Sequence, residues 1–336
     1  MVFTQFIVHS REFFLFVLIV IFAGGISVVN PNFLSLENIG DLLKSFTVLG
    51  IFALGVLLVL LSGGFDLSFT AIAQVAQYAV VYFFVAWQVD NVFFAVIATM
   101  VIGSLLGLVN GFIIYYYKIT AIIVTIATNS IYIGFLYVIT RGDLLYDIPE
   151  SFSLLSDTKV FPALNADGVE VGICVGTFIW FILCILLHLF IKHTVLGRSI
   201  IALGGNQLSA QRVGFNIRRT TIFIYMFVGA MAGFASLVQC AIFQSVVPNS
   251  MVGHEMEVIA AVVLGGASVT GGRGTVIGTF LGVVLFAVLN NGLTLMKISP
   301  FFYQIFTGLV ILVSVIINAL QDIHRKRSQI RVQVEE

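Results

Sequence analysis

Ten apolar runs follow one another along the chain and are separated by shorter polar stretches. They lie near residues 13–29, 46–62, 68–87, 92–116, 119–140, 171–191, 221–243, 255–267, 275–295 and 301–320. The runs are continuous rather than alternating in hydrophobicity, which favours helices over a β-barrel in a bilayer. The pattern predicts an all-α polytopic membrane protein with about ten transmembrane helices. The third and eighth runs are short or interrupted, so either could consist of two pieces.

The composition agrees with a single transmembrane domain over residues 1–336. Apolar residues make up 60% of the chain and charged residues 10%, with a mean hydropathy of +1.10. A soluble domain carries about 25% charged residues. The formal net charge is zero, which gives no indication of nucleic acid as a partner. The first apolar run follows Arg11 as in a signal peptide, but it continues to Val29, and we interpret it as a retained first span.

Lysine and arginine predict the orientation, because cytoplasmic loops are enriched in both. With ten spans and an inner amino terminus, twelve basic residues lie inside and four outside. The outer four are Lys44, Arg141, Lys159 and Lys297, and the inner twelve are Arg11, Lys118, Lys192, Arg198, Arg212, Arg218, Arg219, Arg273, Arg325, Lys326, Arg327 and Arg331. Both termini are therefore predicted to be cytoplasmic.

Two loops are long, and two glycine-rich joints interrupt the apolar pattern. The outer loop, 141–170, is acidic, and the inner loop, 192–220, reads as an amphipathic helix with turns. The joints are Ser62 to Asp66 and Gly265 to Gly274, in the first and second halves of the chain. Broken helices at corresponding places in two halves are typical of inverted repeats, so we predict that spans 2–5 and 7–10 are repeats of opposite topology.

Polar residues in or beside the apolar runs are the candidate functional side chains. Asp66 either caps a helix start or belongs to an inner gate, and Glu255 and Glu257 are either helix-start carboxylates or part of an outer mouth. A side-chain amide inside the membrane needs a hydrogen-bond partner, and most such amides bond to a neighbouring helix. Some could instead bind the hydroxyl groups of a sugar. The amides are Gln74, Gln77, Asn110, Asn129, Gln239, Asn290 and Asn291, with Phe69, Tyr78 and Tyr82 as aromatic neighbours.

Several kinds of chemistry have no motif in the sequence. There is no GxxxxGK[ST], HExxH or GxSxG, and the three cysteines and five histidines show no metal-ligand spacing. We therefore expect no catalytic residues, no metal and no bound cofactor, and the energy for any ATP-driven transport would come from a partner.

Two stretches closely resemble the permease subunits of ribose-type ABC sugar importers. One is Ala260-Ala261-Val262-Val263-Leu264-Gly265-Gly266, which runs on to Gly274. The other is the inner loop, whose matching positions are Gly197, Arg198, Gly204, Gly205, Asn206, Ala210, Gly214 and Asn216. The resemblance covers nearly the whole chain and is strongest from about 192 to 320. It departs from the family at Phe69-Thr70-Ala71, where a small residue is usual after Asp66-Leu67-Ser68, and in the absence of a proline before the fifth span.

The resemblance implies a function, a complex and a set of site residues. The chain would move a monosaccharide such as ribose, galactose or xylose through the bacterial cytoplasmic membrane. It would work with an ATPase subunit that binds ATP and Mg²⁺, a second permease chain, identical or not, and an extracytoplasmic solute-binding protein. The matching inner-loop residues would couple to the ATPase. Asp66, Phe69, Gln74, Gln77, Asn110, Asn290 and Asn291 are then candidates for the gate or path, and Glu255 and Glu257 for docking of the binding protein.

Other functions remain open from the sequence. Close relatives carry nucleosides or autoinducer-2. A stand-alone secondary transporter or channel would need intramembrane charges for ion coupling, and apart from Asp66 the spans show few. A membrane enzyme would need a nucleophile or metal cluster near one membrane face.

Overall fold

The computed structural model describes residues 2–164, 168, 170–299, 301–310, 312, 313 and 316, with side chains from residue 12 onward. The described α-helices are α1 (Val2–Val29), α2 (Leu36–Leu61), α3 (Phe69–Ala86), α4 (Val92–Tyr117), α5 (Ala121–Thr140), α6 (Val175–His193), α7 (Val195–Gly205), α8 (Gln207–Arg212), α9 (Ile217–Phe243), α10 (Glu255–Leu264), α11 (Val276–Leu295) and α12 (Phe301–Val310). Two 3₁₀ turns lie at Pro31–Leu34 and Glu150–Leu155.

The predicted all-α polytopic fold is confirmed. Eight described helices are long and apolar enough to cross a membrane: α1 to α6, α9 and α11. A small antiparallel pair, β1 (Ala163–Leu164) and β2 (Glu170–Val171), lies in the outer loop. The inverted repeat and the cytoplasmic termini stay predictions. Part of the tenth predicted span, part of the outer loop, and the basic residues Arg325, Lys326, Arg327 and Arg331 lie outside the described residues.

Three of the predicted spans differ in length from the helices, and the first of them is α1, which begins at Val2 rather than near residue 13. The eighth run becomes α10, whose ten residues extend about 15 Å, roughly half of the hydrocarbon thickness of a bilayer. Helix α2, which corresponds to the second run, begins at Leu36 rather than near residue 46. The polar stretch around Glu37 and Asp41 is helical although it is not apolar. A hydropathy pattern reports burial in lipid, and it is insensitive to helical turns at the membrane surface.

Four helices form the centre of the bundle. The most apolar windows of α2 and α9 are 78% and 72% buried inside the protein, whereas that of α1 is 17% buried. Helices α3 and α11 complete the centre, and α1, α4, α5 and α6 present large apolar side chains on the outside, where lipid covers them. The polar side chains of the central helices must therefore find their partners within the protein.

Helices α4 and α9 approach each other along a seam of glycines. A Cβ on Gly103 or Gly229 would overlap the backbone carbonyl of the opposite helix, and a Cβ on Gly107 or Gly233 would do the same. Small residues four positions apart allow this close contact, which is how membrane helices pack without a hydrophobic driving force. The seam joins these two helices along much of their length.

The ends of α2, α4 and α6 and the start of α9 lie together, and we call this the inner end. Arg218 of α9 lies over the ring of Tyr116 near the end of α4, with 5.2 Å between the guanidinium carbon and the ring centre. At the opposite end, Lys44 of α2 pairs with Asp157 of the outer loop at 3.3 Å. The inner end carries most of the described basic residues and is the predicted cytoplasmic side.

Candidate functional site

The inner loop folds into two helices, α7 and α8, that project from the inner end. Helix α8 has six residues, Gln207–Arg212, and is anchored by the buried Ala210. Leu208 and Val213 are 67% and 76% exposed, so apolar side chains cover the outside of this projection. Arg198 and Arg212 are exposed as well. The loop thus presents a compact, partly apolar and basic knob to the solvent.

Side-chain caps fix the start of α8 and the start of α9, on either side of the turn that joins them. The Oδ1 atom of Asn206 accepts a hydrogen bond from the backbone N–H of Ser209 at 2.9 Å, and that of Asn216 accepts one from Arg219 at 3.0 Å. Capping of this kind contributes about 1 kcal/mol per helix. Gly214 has a φ of +93°, a conformation that favours glycine, and it turns the chain from α8 towards α9. The matched asparagines and Gly214 therefore determine the shape of the knob.

Glycines bring the inner loop into contact with both glycine-rich joints. The backbone N–H of Gly272 donates to the carbonyl oxygen of Leu61 at 2.9 Å, which ties the second joint to the end of α2. A Cβ on Gly204 would overlap that same carbonyl and would lie 2.6 Å from the nitrogen of Gly272. A Cβ on Gly271, whose φ is +91°, would lie 2.7 Å from the Cα of Gly63. We call these five residues the glycine junction.

The first joint continues from the glycine junction into a non-helical segment, 62–68, that contains Asp66. The Oδ1 atom of Asp66 accepts hydrogen bonds from the backbone N–H of Ser68 at 2.7 Å and from its hydroxyl at 2.6 Å. The amide of Asn110 on α4 donates to the same hydroxyl at 2.7 Å. Asp66 therefore holds the turn before α3, which begins at Phe69. Irregular backbone at membrane depth is tolerated where protein surrounds it.

The polar cluster around Asp66 lies inside the bundle and is incompletely satisfied. Asn110 is seven residues from the end of α4, so the cluster is about 10 Å from the inner end. Asp66 is 3% exposed and Asn110 is fully buried, and neither Asp66 Oδ2 nor Asn110 Oδ1 has a hydrogen-bond partner within the protein. The described side chains contain two ion pairs, Lys44–Asp157 and His254–Glu257, so no described basic residue compensates Asp66.

A second non-helical segment, 244–254, connects α9 to α10 and packs against α3. Gln74 of α3 donates from Nε2 to the carbonyl of Val247, and its Oε1 accepts from the backbone N–H of Met251 at 3.1 Å. Glu255, at the start of α10, accepts from the hydroxyl of Thr70 on α3 and from the N–H of Gly253 at 2.9 Å. The starts of α3 and α10 are thus bonded to each other.

Glu257 lies in the first turn of α10 and contacts two further side chains. Its Oε2 is 3.0 Å from Nδ1 of His254, and its Oε1 accepts from the hydroxyl of Tyr303 on α12. Glu255 is buried and the Glu257 side chain is 15% exposed, so both carboxylates serve contacts within the bundle. Docking of a binding protein by them stays a prediction.

The remaining predicted path residues also make contacts between helices. Gln77 donates to the carbonyl of Ser236 on α9, and Phe69 packs on Phe52 of α2 with 5.1 Å between ring centres. Asn291 of α11 exchanges two 3.0 Å hydrogen bonds with Asn38 of α2. Asn129 donates to the backbone carbonyl of Leu67, and the backbone carbonyl of Asn290 accepts from the hydroxyl of Thr294 within α11. The buried Oε1 atom of Gln239 has no hydrogen-bond partner within the protein. A role for any of them in the path stays a prediction.

The sequence reasoning missed three features of this site. It did not identify Ser68 or Thr70, because hydroxyl residues are common in membrane helices and bond locally. It did not recognise 244–254 as an irregular segment inside the bundle, although Pro248, Asn249 and Gly253 are turn-forming residues. It grouped the glycines of the inner loop by their match to the family, which does not indicate that Gly204 touches both joints.

The chain matches a known family over most of its length. Residues 38–315 match the family described as branched-chain amino acid transport system / permease component. The chain is 32% identical to the ribose import permease protein RbsC of Haemophilus influenzae over 312 residues, covering 93% of each chain. It is 33% identical to RbsC of Bacillus subtilis over 304 residues, covering 90% of each. No solved structure matches the chain significantly.

A relative named for another sugar is nearly as similar. The galactose/methyl galactoside import permease protein MglC of Escherichia coli K12 is 31% identical over 337 residues, covering 96% of this chain and 98% of MglC. The matches extend over the central helices, both joints and the inner loop. The chain therefore belongs to the family of permease components of branched-chain amino acid type transport systems.

Proposed function

We propose that this chain is the membrane permease subunit of an ABC importer for a small sugar of the ribose, galactose and xylose class. The observation that carries the proposal is the glycine junction. It places the backbone of an exposed inner loop in direct contact with two joints that lead into the bundle. A permease without an ATP site of its own needs such a route for motion, and a self-sufficient channel does not.

The sugar class rests on the similarity to ribose and galactose permeases along nearly the full chain. Because the ribose and galactose permeases are almost equally similar to this chain, the particular sugar has to be determined by experiment. A nucleoside or autoinducer-2 is the second candidate, because the bulky Phe69 follows Asp66-Leu67-Ser68 where the family usually has a small residue. A stand-alone transporter is the third candidate, and it is disfavoured by the exposed inner loop.

The mechanism that we propose begins at the knob. A push on α8 moves α7, and because Gly204 contacts Leu61 and Gly272 without intervening side chains, the displacement passes to both joints. Close-packed backbone transmits displacement because it has little free volume to absorb it. The first joint leads to α3, and the second lies between α10 and α11.

The starts of α3 and α10 then move relative to the helices around them. They are joined by the Thr70–Glu255 hydrogen bond, and segments 62–68 and 244–254 can change conformation without unwinding a helix. Alternating access in transporters commonly occurs around broken helices near the membrane midplane. In this proposal the polar groups near Asp66 line or support the path, and they contact the sugar briefly.

We further propose the partners that this mechanism requires. An ATPase subunit binds ATP and Mg²⁺ and docks on the knob, a second permease chain completes the path, and an extracytoplasmic binding protein delivers the sugar. The location is the bacterial cytoplasmic membrane, and this chain has no catalytic site of its own. The excess of basic residues at the inner end supports docking of the ATPase on that side.

The test is a purification followed by transport. The tagged chain is extracted from its native membrane in mild detergent, and stoichiometric partners are identified by mass spectrometry. The recovered complex is placed in liposomes with ATP inside, and uptake of labelled ribose, galactose, xylose and a nucleoside is measured with its binding protein outside. Recovery of an ATPase and ATP-dependent sugar uptake support the proposal. Recovery of the chain alone, with ATP-independent uptake, refutes it.

A further inference from the structure

A groove of about 450 Å³ lies at the inner end between the start of α7 and the start of α9. Its apolar walls include Val195, Leu196 and Phe223, and Val195 is 63% exposed. Arg219, an exposed residue in the first turn of α9, also lines it. An open groove with apolar walls and a cationic side chain fits an amphipathic anion better than a sugar or a purely apolar molecule.

The groove lies at the level where lipid headgroups meet water. Helix α4 ends in Tyr115, Tyr116 and Tyr117, followed by Lys118, and tyrosine is enriched at membrane interfaces. Arg218, adjacent to Arg219, lies over the Tyr116 ring at 5.2 Å. The first turn of α9 is therefore at the interfacial depth, and a phosphate at this level would be within reach of Arg219.

The charged residues in the segment that forms the groove are all basic. Residues 192–220 include five lysines and arginines and no aspartate or glutamate. Among the described side chains the ion pairs are Lys44–Asp157 and His254–Glu257, so Arg219 has no carboxylate partner there. An uncompensated arginine at the cytoplasmic surface attracts anionic lipid with about 1 kcal/mol.

An apolar strip leads from the groove into the bundle's lipid-facing region. Phe223 packs against Phe190 of α6 with 5.5 Å between ring centres, and against Phe227, one turn further along α9, with 6.1 Å. All three rings are half-buried, so each keeps an exposed part. The strip runs from the headgroup level towards the hydrocarbon, which is the path of an acyl chain.

We propose that this groove binds one anionic phospholipid of the inner leaflet. The phosphate interacts with Arg219, and an acyl chain lies along Phe223 and Phe227. The exposed apolar residues of the knob, Leu208 and Val213, do not line the groove, so a protein docked on the knob has a surface of its own. The bound lipid would link the start of α7 to that of α9 and thereby stiffen the base of the knob.

The test measures lipid binding to the full chain by native mass spectrometry and by thermal unfolding. The probes are dioleoyl phosphatidylglycerol and dioleoyl phosphatidylcholine, which share acyl chains and differ in charge. We expect the former to bind selectively and to raise the Tm. Arg219→Gln should weaken its binding about fivefold, the equivalent of about 1 kcal/mol. Arg212→Gln is the matched control, because Arg212 belongs to the same basic segment and does not line the groove.

A second pair of variants tests the groove itself. Val195→Glu places a carboxylate in the wall and should abolish selective binding, whereas Val195→Gln, of similar size, should retain it. Equal effects of the two arginine variants, or equal binding of both lipids, would overturn the proposal. So would a matching rise in Tm with free glycerol phosphate, which would indicate a phosphate site, or displacement of the lipid by an added ATPase subunit, which would indicate a protein site.

Discussion

Gly204 and Gly205 are adjacent in α7 and have opposite surroundings. A Cβ on Gly204 would overlap the carbonyl of Leu61 and lie 2.6 Å from the nitrogen of Gly272, whereas a Cβ on Gly205 would have no heavy atom within 4 Å. Both obstacles to a side chain at Gly204 are backbone atoms, which cannot rotate away. The substitutions Gly204→Ala and Gly205→Ala add the same methyl group and should therefore have different effects.

The expected magnitudes follow from these contacts. Overpacking of a filled site costs about 1–3 kcal/mol, so Gly204→Ala should lower the Tm by several degrees or force the glycine junction apart. Gly205→Ala should be neutral or stabilising by up to about 1 kcal/mol, because alanine is the better helix former and the site is open. On the proposed mechanism, Gly204→Ala also reduces ATP-dependent uptake more than it reduces assembly with the ATPase.

The measurements are thermal unfolding in detergent, recovery of the ATPase, and uptake in liposomes, for both variants side by side. Equal Tm values and equal uptake for the two variants would refute the reasoning, because the junction would then have room for a side chain. Loss of uptake in Gly205→Ala alone would show that the exposed face of α7 matters and that the junction does not.

Three further predictions use the polar and glycine contacts. Asp66→Asn keeps Oδ1 as an acceptor and should retain stability and uptake. Asp66→Ala leaves the N–H and hydroxyl of Ser68 unbonded and should lower the free energy of unfolding by about 1–3 kcal/mol. An equal loss of stability in both variants would show that the negative charge is required. Thr70→Val removes the donor to the buried Glu255 and should lower the Tm, while Thr70→Ser should restore it; unchanged unfolding in Thr70→Val would contradict this. Gly229→Leu should prevent packing of α4 on α9 and abolish the folded protein, as judged by size-exclusion profile, whereas Gly134→Leu, where a Cβ meets nothing within 4 Å, should be tolerated.

The apolar pattern predicted well where most helices lie along the chain. It did not predict how far each helix extends into the membrane. Most helix bounds fall within a few residues of the apolar runs, because hydrophobicity directly reports contact with lipid. The half-length α10 and the irregular segment 244–254 were not predicted as such, because apolar composition does not distinguish a helix that spans from one that stops at the midplane. Placement at depth is decided by partners such as Thr70, which lies 185 residues from Glu255.

The candidate site was predicted in its inner loop and only partly in its interior. Asn206, Gly214 and Asn216 were identified by their match to the family's inner loop, and in the structure Asn206 caps α8 and Asn216 caps α9. By contrast, nothing in a pair of adjacent glycines indicates which one is crowded. That difference is set by the tertiary arrangement of α2, α7 and the second joint, and not by local sequence.

The bonds of Gln74 have a consequence for the order of assembly in the cell. This fully buried amide on α3 bonds to the backbone of Val247 and Met251, which are 173 and 177 residues further along the chain. At about 5–20 residues per second, the ribosome needs roughly 10–35 s to make the intervening chain. During that interval α3 resides in the membrane without these partners for its amide, so the newborn chain depends on the insertion machinery or a temporary neighbour until Val247 and Met251 have been made.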